Sequence, residues 1–228
     1  GGQLAALFPE KPLYNIPALV NGHAVEYARN LVRQACEQGA ELYEGQAVHR
    51  LEESSDGSLA AVTDDCVFSG RATVVATGMG RMEPRKLGVP GESEIAAGRR
   101  LVYAVTRPQA FAGQRVLVVG GGDSAVDNAL LLSEIAGQVT LAHRGSAFRA
   151  QQQRLEMLPE KGVQMLVDVQ VQALEQRGDG LLARLLHVPS GQEKSLEIDR
   201  VVVNVGLIPN PGPLGAWGLR LEGKLIAV

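Results

Sequence analysis

The sequence predicts an α/β fold organised around a parallel sheet. The main observation is a buried strand, a glycine turn and a helix in direct succession: Val116–Val119, Gly120–Gly122, and a helix from Ser124 onward. Further strand and helix patterns alternate after this unit, as they do in doubly wound sheets. Stretches rich in glycine and proline flank the region at 78–91 and 206–215, which favours one compact domain inserted into another. A single domain with two long surface loops is the less economical alternative.

The residues before the first of these stretches predict a helix followed by short strands. Apolar residues recur at helical spacing over 22–38, and Gly39 ends this helix. The strand candidates are 41–43, 46–52, 58–63 and 66–68, with Ser55-Asp56-Gly57 as a hairpin turn. The apolar run Ala72–Ala76 is the last strand candidate before Thr77 and Gly78.

Between the two flanking stretches, strands and helices alternate. The predicted strands are Arg115–Val119, Val139–Ala142, Val163–Val167 and Arg200–Val205, and the predicted helices are Asp123–Ile135 and Ala147–Leu158. From Val169 to Ile198, alternating residues and two glycine-containing turns predict a three-stranded meander.

Composition restricts the classes of function. The chain has 228 residues, 45% of them apolar, and a net charge of −3, so we expect a buried core and no nucleic-acid or membrane partner. No apolar run approaches the roughly 18 to 20 residues that span a bilayer, and no export leader opens the chain. We therefore expect a cytoplasmic protein. Cys36 and Cys66 form no C-x-x-C pair, and His23, His49 and His187 are not spaced as metal ligands, so we expect no metal site.

The glycine turn predicts a dinucleotide site. Gly120 would make the tight turn after the strand, and Gly122 would let the backbone approach a pyrophosphate. Ala125 stands where the third glycine of the motif packs the helix on the strand. The helix N-terminus offers free N–H groups to phosphates, and Ser124 could add a hydroxyl donor. We interpret Asp123, which is unfavourable beside a phosphate, as the cap of that helix.

The end of the second strand indicates which dinucleotide binds. An NAD site needs a carboxylate about 20 residues after the turn to hold the ribose 2′-hydroxyl. This sequence places His143 and Arg144 there, followed by Arg149. Two guanidiniums suit a 2′-phosphate, so the sequence predicts NADP(H) rather than NAD(H). The alternative for both arginines is solvated surface charge, and for His143 it is simple packing at the strand end.

Several segments together resemble a known family. They are Gly1-Gly2-Gln3-Leu4, residues 5–11, Ala76-Thr77-Gly78, the turn Gly120–Ala125, His143-Arg144, Phe148-Arg149-Ala150 and Asn204-Val205-Gly206. In this order they resemble the thioredoxin-reductase-like ferredoxin/flavodoxin–NADP⁺ reductases, and the resemblance covers nearly the whole chain.

The resemblance implies two Rossmann-like, three-layer nucleotide-binding domains. An NADP(H) domain at 81–207 would be complete and inserted into an incomplete FAD domain formed by 1–80 and the return segment 208–228. The enzyme would be a homodimer that passes hydride from NADPH to FAD and then electrons to ferredoxin or flavodoxin. The implied flavin contacts are Gln3, Phe8 as a stacking ring, the backbone at Val48, and Thr77 with Gly78, and Gly206 is a further implied cofactor contact.

The sequence departs from the family in specific places. Thioredoxin reductases carry a redox C-x-x-C before the NADPH domain, whereas residues 101–108 contain no cysteine, so dithiol chemistry is not expected. Gly145 stands where the family usually has a second arginine. Both ends of the FAD domain are missing, so we expect the chain to be a piece of a longer protein. Two alternatives stay open: a flavin-free NADP(H)-binding module with a sensing or regulatory role, and a related flavin reductase with a small-molecule acceptor.

Overall fold

The chain divides into two structural units. Gly1–Arg29 and Pro84–Gly206 form the first unit, and Asn30–Glu83 and Leu207–Val228 form the second. The computed structural model describes residues 2, 5, 13, 16, 17, 19, 22–78, 81–210, 212–222, 225 and 226. In chain order its elements are α1 (Ala24–Glu37), β1 (Arg50–Glu53), β2 (Leu59–Val62), β3 (Val67–Gly70), β4 (Arg81–Pro84), α2 (Glu92–Ala97), β5 (Leu101–Val102), β6 (Arg115–Gly120), α3 (Asp123–Ser133), β7 (Gln138–Ala142), α4 (Gln152–Glu160), β8 (Gln164–Leu166), β9 (Val169–Arg177), β10 (Gly180–His187), β11 (Gln192–Ile198), β12 (Arg200–Asn204), β13 (Leu207–Asn210), β14 (Leu221–Glu222) and β15 (Leu225–Ile226), with 3₁₀ helices at Pro108–Phe111 and Gly212–Trp217.

A five-stranded parallel sheet forms the centre of the first unit. Its strand order is β5-β12-β6-β7-β8, and every neighbouring pair is parallel. The central strands are buried on both faces, which is why they read as continuous apolar runs in the sequence. The predicted α/β class with a parallel sheet is confirmed.

Alternate residues of β6 pack into two different hydrophobic cores. Val116 and Val118 face the core that α3 and α4 cover. Leu117 and Val119 face the opposite core, which α2 and the antiparallel meander β9-β10-β11 cover. The unit therefore has three layers, and the meander takes the place of helices over much of one face of the sheet.

The second unit contains several small sheets, and the pairs β1-β2, β2-β3 and β14-β15 are antiparallel. β1, β2 and β3 form one sheet, β4 pairs with β13, and β14 pairs with β15. The predicted turn at 55–57 joins β1 to β2, where the Asp56 carboxylate accepts hydrogen bonds from the N–H and hydroxyl of Ser58 at 2.9 and 2.7 Å. These bonds lower the pKa of Asp56. The indole N–H of Trp217 donates to the carbonyl of His49 at 2.9 Å.

Several predicted elements are wrong in part. Residues 41–43 and 72–76 form no strand, and the strand predicted at 46–52 is confined to β1. A strand needs a neighbour to pair its backbone, and the described residues place none beside 41–43 or 72–76, where Val74 is 88% exposed. The helix predicted at 147–158 begins only at Gln152, because the chain before it is bonded to the glycine turn. Within the described ranges, no helix is long and apolar enough to cross a bilayer.

Candidate nucleotide-binding site

The carboxyl ends of β6 and β12 meet where the sheet changes its winding direction. From β6 the chain winds to β7 and β8 on one side, whereas β12 lies on the other side, beside β5. Gly120 ends β6 and is paired in register with Asn204, which ends β12. In doubly wound sheets, ligands bind outside the carboxyl ends of the strands at this switch point. The predicted glycine turn lies at this edge of the sheet.

Packing requires a glycine at the first position of the turn but not at the third, where a Cβ would have space among the described residues. Gly120 has a φ of +156°, and a Cβ there would lie 2.3 Å from the Asn204 carbonyl oxygen and 2.8 Å from the Ala125 Cβ. Gly122 has an ordinary φ of −102°, and no atom lies within 4 Å of the position its Cβ would take. Nothing in the described protein therefore requires glycine at 122, and a ligand that approaches the backbone closely would account for it.

The N–H groups beside this open position are available to a ligand. The N–H groups of Ala125 and Val126 bond to the Gly122 carbonyl, whereas those of Gly122, Asp123 and Ser124 have no partner among the described residues. The Ser124 hydroxyl likewise has none within the described part of the chain. Unpaired N–H groups at a helix N-terminus favour an anion.

The middle glycine of the turn supports the ring of His143. A Cβ on Gly121 would lie 2.2 Å from this ring, so only glycine fits beneath it. His143 Nε2 lies 3.1 Å from the Ala147 carbonyl oxygen, which only accepts, so Nε2 carries the proton of this hydrogen bond. The centroid of the His143 ring is 5.0 Å from that of Phe148. The sequence interpretation missed this contact, although a glycine triplet followed by a histidine at the next strand end was its signal.

The capping role expected for Asp123 is wrong. Gly122 occupies the cap position of α3, and no side chain caps the helix there. The Asp123 carboxylate instead accepts a hydrogen bond from the backbone N–H of Gln151 at 3.1 Å. The carboxylate therefore serves the start of α4 rather than the start of its own helix.

Two arginines lie in the loop between β7 and α4. The backbone N–H of Arg149 donates to the Gly121 carbonyl at 2.7 Å, which ties this loop to the glycine turn. The side chains of Arg144 and Arg149 are exposed, and neither guanidinium has a hydrogen bond or ion pair with any described residue. The loop next to the glycine turn thus carries two cations that no described residue neutralises.

A partly buried network of polar side chains, which the sequence interpretation missed, supports the same edge of the sheet. Asn204 accepts a hydrogen bond from Asn128 Nδ2 at 2.9 Å and donates to the Tyr103 carbonyl at 3.3 Å. The Tyr103 hydroxyl donates to Glu92 Oε1 at 2.9 Å. Glu92 is only 4% exposed, and it also accepts the N–H groups of residues 87 and 88 at 2.9 and 2.8 Å. Its place directly after the stretch of glycine and proline at 78–91 was the available signal.

The Tyr103 hydroxyl is expected to lose its proton at a higher pH than an ordinary tyrosine, because its pKa is raised. Burial, followed by its hydrogen bond to Glu92 and the charge of that carboxylate, raises its pKa from 10.0 to about 12. A phenol whose pKa is raised in the fold holds its proton more tightly there, so its contribution to stability is complete below pH 10 and is lost as the pH rises towards 12. Ultraviolet titration of phenolate should show a component near pH 12 that the Tyr103→Phe substitution removes. A titration curve that this substitution leaves unchanged at its alkaline end would contradict the assignment.

The residues predicted to contact a flavin cannot all be placed. Gln3 and Phe8 lie outside the described residues. In the second unit, Val48 is half-buried and the backbone of 47 and 48 has no hydrogen bond with any described residue. Thr77 and Gly78 are exposed, and Gly78 has a φ of +58° with open space around its Cβ position. Gly206 belongs to the first unit, where its carbonyl accepts the N–H of Arg85 at 3.0 Å.

Comparison with known proteins identifies one family and relatives that carry the same name. The sequence profile of the pyridine nucleotide-disulphide oxidoreductases matches residues 9–228. The chain is 37% identical over 229 residues to the ferredoxin–NADP reductase of Geobacillus thermodenitrificans, an alignment that covers 100% of this chain and 69% of that protein. It is 36% identical over 232 residues to the ferredoxin–NADP reductase of Thermus thermophilus, with the same 100% and 69% coverage.

Solved structures support the same fold. The thioredoxin reductase of Lactococcus lactis superposes with a TM-score of 0.83 at 26% identity, covering 99% of this chain and 73% of that one. The thioredoxin reductase of T. acidophilum gives a TM-score of 0.82 at 26% identity, covering 98% and 71%. The chain thus shares its fold with proteins of known structure that are named thioredoxin reductases.

Proposed function

The chain belongs to the pyridine nucleotide-disulphide oxidoreductase family, and on this premise we propose that it carries reducing equivalents from NADPH through FAD to ferredoxin or flavodoxin. Membership makes the protein an oxidoreductase, and relatives of this kind use FAD and NADP(H). The predicted family, enzyme class and cofactors are therefore confirmed. The acceptor is proposed because relatives that are 37% and 36% identical are named ferredoxin–NADP reductases.

The observation that carries the NADP(H) assignment is an open glycine near two guanidiniums that have no partner among the described residues. Gly122 leaves room for a pyrophosphate next to three N–H groups that are unpaired within the described part of the chain. We propose that Arg144 and Arg149 hold the 2′-phosphate, because neither guanidinium has a partner among the described residues. His143 and Ala125 complete the proposed site by packing against the turn, and the Ser124 hydroxyl is proposed as a donor to the phosphate.

The residues of the chain bind and orient the two cofactors, and the cofactors carry out the redox chemistry. When bound, NADPH supplies a hydride and FAD converts the two-electron step into single-electron transfers. Hydride transfer of this kind requires no protein acid or base, so we assign no catalytic residue. Val48, Thr77 and Gly78 fit a flavin contact in one respect: their backbone is accessible, and that of 47 and 48 has no hydrogen bond within the described residues. Gln3, Phe8 and Gly206 are proposed as cofactor contacts on the family resemblance.

We also propose the domain arrangement, assembly and location. We propose an NADP(H) domain at 81–207 inserted between FAD-domain segments at 1–80 and 208–228. Pro84–Gly206, one segment of the first unit, supports these bounds, whereas the other segment of that unit, Gly1–Arg29, lies within the proposed 1–80 segment. We propose a homodimer on the family resemblance, and a cytoplasmic location on the composition of the chain. Light scattering on the purified protein should give twice the chain mass, and a monomer at working concentration would contradict the dimer.

Removal of either arginine should change the choice of cofactor. We expect Arg144→Ala and Arg149→Ala each to weaken NADP⁺ binding by roughly ten- to a hundredfold, because a hydrogen bond to a charged group contributes about 1.5–3 kcal/mol. NAD⁺ lacks the 2′-phosphate, so its affinity should change little. Isothermal titration calorimetry with both nucleotides measures the two dissociation constants directly.

The control is another exposed arginine of the same unit. Arg177 pairs in register with Gly180 at the tip of a hairpin, and a Cβ on Gly180 would lie 3.5 Å from Arg115, at the amino end of β6. Since Gly120 ends that strand, Arg177 lies near the opposite edge of the sheet, and Arg177→Ala should leave both affinities unchanged. Equal losses for NADP⁺ and NAD⁺ in Arg144→Ala and Arg149→Ala would show that the 2′-phosphate binds elsewhere.

A further inference from the structure

Asp123 is an unexpected residue at the mouth of an anion site. It begins α3 directly after Gly122, where its negative charge opposes a bound phosphate. Its side chain is exposed, so burial does not explain a carboxylate here. Its bond from the N–H of Gln151, at 3.1 Å, spans 28 residues of sequence.

This bond helps to fix the loop that carries Arg149. Gln151 is the cap residue of α4, and its carbonyl accepts the first N–H groups of that helix, from Arg154 at 3.0 Å and Leu155 at 3.2 Å. The N–H of Gln151 is held by Asp123 and its carbonyl by α4, so the peptide units on both sides of Gln151 are fixed. Arg149, two residues earlier, has its own N–H held by the Gly121 carbonyl at 2.7 Å.

The other end of the loop is held independently of Asp123. His143 Nε2 bonds to the Ala147 carbonyl at 3.1 Å, and the Gly145 carbonyl accepts the N–H of Asp168 at 3.1 Å. Loss of the Asp123 bond would therefore loosen the segment around Arg149 and Gln151 while leaving Arg144 in place. An arginine that must be ordered upon binding contributes less to affinity than one that is already positioned.

We propose that Asp123 is a positioning residue that sets the preference for NADP(H) over NAD(H), by holding the Gln151 backbone and thereby Arg149 in place for the 2′-phosphate. The proposal rests on the proposed function of Arg149. It accounts for a carboxylate beside a phosphate site, because the acceptor oxygen is needed and its charge is tolerated. In this proposal the acceptor oxygen of Asp123 positions the loop, whereas its negative charge only opposes the phosphate. Substitutions can separate these two properties.

Two substitutions of Asp123 separate the acceptor from the charge. Asp123→Asn keeps an acceptor oxygen at the same position and removes the charge, so it should retain the NADP⁺ preference and bind both nucleotides at least as tightly as the unmodified chain. Asp123→Ala removes the acceptor, and it should reduce the ratio of NADP⁺ to NAD⁺ affinity by about three- to tenfold, chiefly through weaker NADP⁺ binding. Calorimetric titration with NADP⁺ and NAD⁺ gives the ratio without any need for turnover.

A double-substitution cycle tests whether Asp123 acts through Arg149. If it does, the Asp123→Ala/Arg149→Ala chain should bind NADP⁺ no more weakly than Arg149→Ala alone, because the positioned group is already absent. Additive losses would overturn the proposal, as would a ratio that Asp123→Ala leaves unchanged or Asp123→Asn reduces equally. Failure of the proposed function looks different, because then Arg149→Ala itself would not alter the NADP⁺ preference.

Discussion

The Gly91→Ala substitution is expected to lower the free energy of unfolding of the first unit by about 2–5 kcal/mol. Gly91 has a φ of +82°, and this left-handed conformation costs a residue with a Cβ about 1–2 kcal/mol. The Cβ would also lie 1.7 Å from the carbonyl oxygen of Leu174, and relieving such an overlap costs a further 1–3 kcal/mol or so.

The backbone around Gly91 has no room to move away from this overlap. The N–H of Leu174 donates to the Pro90 carbonyl at 3.0 Å, so the chain before Gly91 is fixed to β9. The next residue, Glu92, is the buried carboxylate that accepts three hydrogen bonds. Displacement of Gly91 would therefore strain the hydrogen bond that the Tyr103 hydroxyl donates to Glu92, and through Tyr103 the edge of the sheet at Asn204.

Gly162→Ala is the matched control. Gly162 lies in the same unit and has a φ of +72°, yet no atom lies within 4 Å of its Cβ position. It should show only the conformational cost of about 1–2 kcal/mol. Urea unfolding gives the free energy of unfolding of each variant, and the difference between the two losses measures the cost of the steric overlap at Gly91. Equal destabilisation by the two substitutions would mean that α2 shifts away from β9 more easily than this packing implies.

The sequence predicted the sheet and the glycine turn well because their signals are local. β6 and β7 are nearly fully buried on both faces, so β6 appears as an uninterrupted apolar run that ends in glycine, and β7 as an apolar run interrupted only by the buried Thr140. The turn at Gly120–Gly122 has a motif whose spacing follows from the geometry of a strand that leads directly into a helix. Neither feature depends on residues far away in the chain.

The start of α4 could not be predicted because it depends on distant partners. The residues from Ala147 onward have helical spacing, but the N–H of Arg149 is used by Gly121 and that of Gln151 by Asp123. Asp123 in turn was interpreted as a cap because aspartate before a helix usually is one. Its acceptor role arises only when α4 lies beside α3, which is a property of tertiary structure.

The polar network was hidden for a similar reason. Glu92 follows a stretch of glycine and proline, where a charged residue is ordinarily solvated. Its burial follows from two backbone N–H groups and the Tyr103 hydroxyl converging on one carboxylate. No spacing in the sequence indicates that Tyr103 and Asn204, 101 residues apart, will share a hydrogen bond.

The Gly122→Thr substitution is expected to abolish dinucleotide binding while preserving the fold. Gly122 has a φ of −102° and a ψ of 179°, an extended conformation that threonine adopts readily. Threonine is also a favourable residue at a helix cap position, so the free energy of unfolding should stay within about 1 kcal/mol of the unmodified value. The new side chain has room in the unliganded fold, because no described atom lies within 4 Å of the position that its Cβ would take.

Binding should fail because the same space is where the pyrophosphate must lie. A side chain at 122 would keep the phosphate away from the unpaired N–H groups of Gly122, Asp123 and Ser124. The loss of two such charge-assisted hydrogen bonds would weaken binding by at least about a hundredfold. The pyrophosphate is common to both nucleotides, so NADP⁺ and NAD⁺ should be affected equally, in contrast to the selective effect of Arg149→Ala.

Thermal unfolding with and without nucleotide tests both halves of this prediction in one measurement. Without nucleotide, Gly122→Thr and the unmodified chain should unfold at similar temperatures. With NADP⁺ added, only the unmodified chain should gain stability, since a ligand stabilises a fold in proportion to the logarithm of its concentration over its dissociation constant. A variant that NADP⁺ still stabilises fully would show that the pyrophosphate does not approach Gly122. The unpaired N–H groups of α3 would then be solvated by water, and the glycine at 122 would have no role in binding.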